Sequence, residues 1–246
     1  MNRKVIAVIP ARYGSTRFPA KVIAELGGKP IIQWVYEKGI ASKADEVYIA
    51  TDNDLVASVV EGFGGKVIMT DTNHPSGTDR IHEAVSGVDG DIIINIQGDE
   101  PLIPVSVIDE LIDKMVENPN IEMGTVAVPA VRSDVQDNPN VVKVVFNDDQ
   151  FALYFSRSVI PYQREDDYDT QVYRHWGIYA YRRDILARFV ALPEGKLEQC
   201  EKLEQLRALE NNINIYVHLS DLESIGIDTP EDLVAAEAKV QQMKLK

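Results

Sequence analysis

The sequence predicts an α/β protein built on a doubly wound, mostly parallel sheet with a smaller lobe of mixed sheet. Three observations predict it. Short apolar runs rich in β-branched residues recur along the first half of the chain, and stretches of helical spacing alternate with them. Near residue 120 this rhythm gives way to successive extended runs.

Val5 to Pro10 is a continuous apolar run, as expected of a strand buried on both faces. Pro30 to Ala41 spaces Ile31, Val35 and Ile40 as a helix does. Val47 to Ala50 then predicts a strand and Asp54 to Glu61 a helix. Gly64-Gly65 breaks the chain before a strand at Lys66 to Met69. Asp91 to Gln97 predicts a fourth strand and Val105 to Val116 a helix. Extended runs follow at Gly124 to Pro129, Val141 to Asn147 and Ala152 to Phe155, with a polar loop at Arg164 to Thr170. Helices are expected again at Arg183 to Phe189, Leu197 to Glu210 and Pro230 to Met243. Thr229 is placed to cap the last of these, with Pro230 at its first position. The 246 residues are read as one domain, 1–246, carrying a lobe at about 120–215.

Asp and Glu number 39 against 25 Lys and Arg, a net charge of −14 that argues against binding nucleic acid or an anionic membrane. No apolar stretch approaches the ~18 residues of a membrane span, and the chain starts without a cleavable leader, which predicts a cytoplasmic protein. The single Cys200 excludes an internal disulfide.

Against that acidic background the loop Pro10-Ala11-Arg12-Tyr13-Gly14-Ser15-Thr16-Arg17-Phe18-Pro19-Ala20-Lys21 is a basic island just beyond the first strand. Open α/β sheets bind ligands at the carboxyl ends of their strands, and a polyphosphate requires cations and backbone amides there. The loop lacks Gly-x-Gly-x-x-Gly, which argues against a dinucleotide fold. Asp99, past the fourth strand, and Asp228, before the last helix, are two acids that could share a magnesium ion with phosphate oxygens. Taken singly, each could equally be a turn residue or a helix cap.

The basic loop, Gln97-Gly98-Asp99-Glu100-Pro101 and Asp228-Thr229-Pro230-Glu231-Asp232-Leu233 resemble motifs of the 3-deoxy-manno-octulosonate (Kdo) cytidylyltransferases, which are sugar nucleotidyltransferases. The match departs at Ala20, where that family usually has Gly. His74-Pro75-Ser76-Gly77-Thr78-Asp79-Arg80 resembles the family's cytosine-contacting loop, and Ser76 or Thr78 would also cap a helix there. Ala152 to Pro161, Arg174 to Arg182 and Leu197 to Arg207 resemble its sugar-holding segments.

The resemblance implies transfer of CMP from CTP to Kdo with Mg2+, by a homodimer, for lipopolysaccharide or capsule synthesis. It implies catalytic roles for Arg12, Lys21, Asp99 and Asp228, the two aspartates being the metal ligands. Ala11, Arg12, Ser15, Arg17, Lys21, Pro75, Ser76, Gly77, Thr78, Arg80 and Gln97 would bind nucleotide. Gln97, Arg157, His175, Tyr179, Glu204 and Gln205 would bind the sugar, and Glu100 has a weaker claim. Alternatives within the fold are 8-amino-Kdo, a sialic acid or a neutral sugar phosphate. Outside it stand a nucleotide-sugar glycosyltransferase, for which an Asp-x-Asp triplet is expected, and a non-catalytic nucleotide-binding regulator.

Overall fold

A computed structural model describes residues 3–14, 18–165, 170–222 and 224–244. Ser15 and Arg17 of the basic loop lie outside the described residues, as does part of the 164–170 loop. The chain divides into two compact units, Met1–Ile112 with Glu223–Lys246, and Asp113–Leu222. The expected lobe at about 120–215 falls within the second.

The first unit holds strands β1 (Val5–Pro10), β4 (Glu46–Thr51), β5 (Val67–Met69) and β6 (Ile92–Asn95), all parallel, in the order β6-β1-β4-β5. Every residue from Val5 to Ile9 is buried, as a continuous apolar run requires of an inner strand. Helices α1 (Ile31–Ala41), α2 (Asp54–Gly62), α3 (Gly77–Val85) and α4 (Val105–Glu117) alternate with them. A two-stranded ribbon, β2 (Glu25–Leu26) with β3 (Lys29–Pro30), precedes α1. It turns through Gly27 and Gly28 at φ 58° and 91°, a region that favours glycine.

Helix α9 (Pro230–Lys244) closes the unit. Thr229 Oγ1 accepts from the Asp232 amide at 3.3 Å, and Asp232 Oδ2 accepts from the Thr229 amide at 2.9 Å, a reciprocal cap. Ala236 and Val240 pack with Leu26, Ile31, Leu102 and Ile227, which holds the body of α9 against the ribbon and α1.

The second unit is a mixed sheet in the order β11-β7-β10-β8-β9. Its strands are β7 (Met123–Ala130), β8 (Lys143–Phe146), β9 (Ala152–Ser156), β10 (Val172–Arg182) and β11 (Ile215–Leu219). Its helices are α5 (Arg132–Val135), α6 (Arg183–Val190), α7 (Lys196–Glu201) and α8 (Leu206–Glu210).

The single helix expected over Leu197 to Glu210 is instead broken in two: Lys202 takes the left-handed conformation at φ 52° and ends α7. Leu197 and Cys200 are exposed while Leu203 and Leu206 are buried, so the apolar residues form no single face. The break sets Glu198 beside Arg207, whose guanidinium donates to Oε2 at 2.7 Å and Oε1 at 2.6 Å with both side chains nearly buried.

Candidate active site

The carboxyl ends of β1, β4 and β6 leave a cleft of about 330 Å3, within the usual range for small-molecule sites of roughly 300–1,000 Å3. It is lined by Arg12 and Lys21 from the basic loop, His74 to Gly77 and Arg80 at the start of α3, Gln97 to Asp99 beyond β6, and Asp228. Ala11 and Thr78 are buried behind this lining, and the Ala11 amide is taken by the Ala50 carbonyl at 2.8 Å.

Asp99 and Asp228, remote in sequence, meet because the Ile227 amide donates to the Asp99 carbonyl at 2.9 Å. Fully buried Ile227 anchors that crossing, and Asp232 takes the Asp228 amide at 3.0 Å. Thr229 rather than Asp228 supplies the cap of α9, which leaves the Asp228 carboxylate to the cleft. Both acids contact one ammonium: Lys21 Nζ donates to Asp99 Oδ2 at 2.7 Å and Asp228 Oδ1 at 2.9 Å. Burial lowers the lysine pKa, but the charges and hydrogen bonds of the two carboxylates outweigh it and raise it above 10.5. Lys21 is therefore a cation throughout the physiological range.

Lys21 opens a short 3-10 turn, Lys21–Ile23, preceded by Ala20 at φ 58° and ψ 20°. This left-handed conformation costs an alanine about 1–2 kcal/mol and a glycine almost nothing.

Ser76 Oγ caps α3, accepting from the Thr78 and Asp79 amides at 3.1 and 3.2 Å. Ser76 and Gly77 bring the start of α3 into the cleft wall, where the positive end of the helix dipole favours phosphate or a base edge, while the Thr78 and Asp79 amides are already taken by Ser76. Arg80 lines the wall but is pinned: its guanidinium donates to Asp52 at 2.7 Å and contacts Thr70 and the Asp71 carbonyl. His74 pairs with Glu83, which also accepts the Asp71 amide at 2.9 Å. Gln97 donates to Asn95 at 3.1 Å. Asp52 and Glu83 were not singled out from the sequence, and His74 only as the first residue of the His74 to Arg80 segment. Asp52 had a signal there, as an acid just past the second buried strand.

The two carboxylates fit a hard divalent cation. They reach one cationic point and exceed the Lys21 charge by one. Two carboxylates completed by phosphate oxygens and water is the habit of magnesium.

The remaining candidates lie in the second unit. His175 and Tyr179 flank a bulge in β10, where pairing to β7 jumps between Trp176 and Tyr179. Four residues of regular strand span about 13 Å, yet the two rings are 5.5 Å apart. The bulge turns what reads as an ordinary strand into a pair of adjacent polar rings. Thr125 Oγ1 lies 2.9 Å from His175 Nε2 and donates to the Ile178 carbonyl at 2.8 Å, so it accepts from Nε2–H and leaves Nδ1 as the acceptor. The residue as a whole is only partly exposed, and burial pushes the imidazole pKa down to about 3. Burial, then Tyr181 and Glu204, raise the Tyr179 phenol well above 10. Gln205 is buried at the start of α8.

Arg157 is engaged differently from a free carboxylate receptor. Its guanidinium donates to the carbonyls of Glu201 at 2.6 Å, Pro139 at 2.8 Å and Lys202 at 3.1 Å. Its own amide and Ser156 Oγ meet the Glu201 carboxylate at 2.9 and 2.6 Å.

Among the described residues no helix is long and apolar enough to cross a membrane. Residues 6–215 match the family model described as cytidylyltransferase. A 3-deoxy-manno-octulosonate cytidylyltransferase of Thermodesulfovibrio yellowstonii is 54% identical over 246 residues, 94% of this chain and 96% of that protein. An 8-amino-3,8-dideoxy-manno-octulosonate cytidylyltransferase of Shewanella sp. (strain ANA-3) is 48% identical, covering 96% of this chain and 98% of that protein. The solved structure of a CMP:2-keto-3-deoxy-manno-octonic acid synthetase complexed with CTP matches with a TM-score of 0.94 at 43% identity, over 98% of this chain and 99% of that one. The chain therefore belongs to the cytidylyltransferase family, in the branch that holds the 3-deoxy-manno-octulosonate cytidylyltransferases.

Proposed function

We propose that this enzyme transfers CMP from CTP to the anomeric hydroxyl of Kdo, giving CMP-Kdo and pyrophosphate. The observation that carries the reading is the convergence of Lys21, Asp99 and Asp228 in a cleft that Arg12 and the start of α3 also line. The anomeric oxygen attacks the α-phosphorus, the bond from that phosphorus to the bridging oxygen of the β-phosphate breaks, and the hydroxyl proton passes to solvent. Positioning and charge neutralisation supply most of the rate in such transfers.

Lys21 and Arg12 would hold the triphosphate, with Ser76 and Gly77 offering the helix start to the nucleotide. Gln97 would contact the ribose, base or sugar. Asp99 and Asp228 would hold Mg2+, which when bound lowers the pKa of a coordinated hydroxyl and neutralises developing phosphate charge. In the second unit His175 Nδ1 would accept from a sugar hydroxyl, and Tyr179, Glu204 and Gln205 would supply further partners. A homodimer, a cytoplasmic location and a product used for lipopolysaccharide or capsule belong to the same reading and are supported by family membership alone.

The 8-amino sugar is the second reading, supported by relatives with that name at the same 48% identity as some named for Kdo. Pyrophosphate release with CTP, Mg2+ and either sugar tests both. A kcat/KM at least tenfold higher for Kdo is expected. The reverse ratio would assign the amino sugar, and turnover of a neutral aldose phosphate alone would overturn the acidic-sugar reading.

A further inference from the structure

We infer that Lys21 also acts before substrates arrive, when its ammonium holds the Asp99 and Asp228 carboxylates together, and that the divalent cation enters by displacing it toward the triphosphate. The inference rests on the metal assignment proposed above. Two carboxylates drawn to one point repel each other unless a cation lies between them. Here the Lys21 ammonium is that cation, from a side chain only 12% exposed.

An ammonium carries three donors, and two of them are spent on the carboxylates at 2.7 and 2.9 Å. In that state Lys21 has a single donor for phosphate. A divalent cation takes the same two carboxylates, so it and the ammonium compete for one position. Its entry returns two donors of Lys21 to the nucleotide, and the two binding events reinforce each other by an equal factor in both directions. The backbone supports a fixed aim, since Ala20 holds a left-handed conformation at φ 58° immediately before Lys21. Lys21 is thus a positioning residue for the metal ligands as well as a contact for the nucleotide.

A purely phosphate-binding lysine and an exchanging lysine differ in what its removal does to metal affinity without nucleotide. Titration calorimetry of Mn2+ into the nucleotide-free enzyme reads this directly. Lys21→Met should bind Mn2+ at least tenfold more tightly than the unaltered enzyme, and Lys21→Arg should stay within threefold of it. Equal or weaker binding to Lys21→Met, or no binding to either protein, would overturn the exchange. Should Lys21→Met fail to fold, 15N spectra of the lysine ammonium groups in the unaltered enzyme replace it: Mg2+ alone should expose the Lys21 ammonium to faster proton exchange, and an unchanged signal refutes the proposal. Pyrophosphate release by the unaltered enzyme is measured separately, so loss of this inference leaves the proposed reaction standing.

Discussion

The Arg80 guanidinium donates to the Asp52 carboxylate at 2.7 Å, with the two side chains only 5% and 16% exposed. The pair joins the end of β4 to α3 and so braces the wall on which Ser76 and Gly77 stand. Removing one partner of a buried pair typically costs about 3–5 kcal/mol, because the other charge is left stranded. Asp52→Ala should therefore lower stability by about that amount in urea unfolding. Asp52→Ala combined with Arg80→Met should recover a large part of the loss. If the single change costs under about 1 kcal/mol, the pair behaves like an exposed one and is not a brace.

Ala20→Gly tests the backbone beneath Lys21. Relief of a left-handed alanine is worth about 1–2 kcal/mol, offset in part by the entropy glycine adds to the unfolded chain. A net gain of up to about 1 kcal/mol is expected, with CTP turnover retained. A lower melting temperature would show that the φ of 58° carries no strain.

How much of this could be read from the sequence depends on the range of the forces involved. β1, β4 and β6 were legible because burial on both faces demands an unbroken apolar run, and the Thr229 cap because capping acts over three residues. β11 was not placed, although Ile215, Val217 and Leu219 alternate with Tyr216 and His218 as a strand does. The break at Lys202 was invisible because apolar spacing continues through Leu203 and Leu206, while the Glu198–Arg207 pair that accompanies it is tertiary. The two aspartates were legible as candidates from their strand-end and helix-start positions. Their convergence was not, because one backbone hydrogen bond from Ile227 to Asp99 makes it. The β10 bulge, which sets His175 against Tyr179, depends on pairing with β7 and leaves no local mark.

Gly98 precedes Asp99 and has no room for a side chain. A Cβ there would stand 2.9 Å from the Pro10 carbonyl oxygen, which belongs to the sheet and cannot move aside cheaply. Gly98→Ala should cost about 1–3 kcal/mol of stability. The displacement it forces on Asp99 should reduce kcat/KM by at least an order of magnitude, since misplacement by ~1 Å can cost about 100-fold. Steady-state kinetics with a melting curve decides it: a variant that turns over normally would show that the backbone here yields.

His175 makes stability depend on pH with a definite sign. In the unfolded chain it takes up a proton below about 6.5, whereas in the fold burial delays this to about pH 3. Between those values the unfolded state binds more protons, so stability rises with pH and is lost as pH falls from 6.5 toward 3. The slope from this one group approaches about 1.4 kcal/mol per pH unit in the middle of the window. His175→Gln should flatten that part of the profile and leave the region above pH 7 unaffected by titration. Equal slopes for the two proteins between pH 4 and 6 would show that the imidazole protonates freely in the fold.

Substitution of Arg157 should give a mixed phenotype, because its partners are structural. Three donors go to the carbonyls of Glu201, Lys202 and Pro139, and two of those carbonyls belong to the end of α7, just ahead of Glu204 and Gln205. Lysine offers one point charge in place of a planar fork and cannot meet all three carbonyls. Hydrogen bonds from a charged donor contribute about 1.5–3 kcal/mol each, and a partial loss is expected. Arg157→Lys should therefore lose about 1–3 kcal/mol of stability. If the arginine acts by holding that turn, the KM for the sugar should rise tenfold or more while the KM for CTP changes less than threefold. Glu201→Gln removes the carboxylate that fastens the Arg157 amide and Ser156 without touching the guanidinium, so it should raise the sugar KM in the same direction. A Glu201→Gln enzyme with an unchanged sugar KM, beside an Arg157→Lys enzyme that has lost it, would instead make Arg157 a direct contact of the sugar carboxylate.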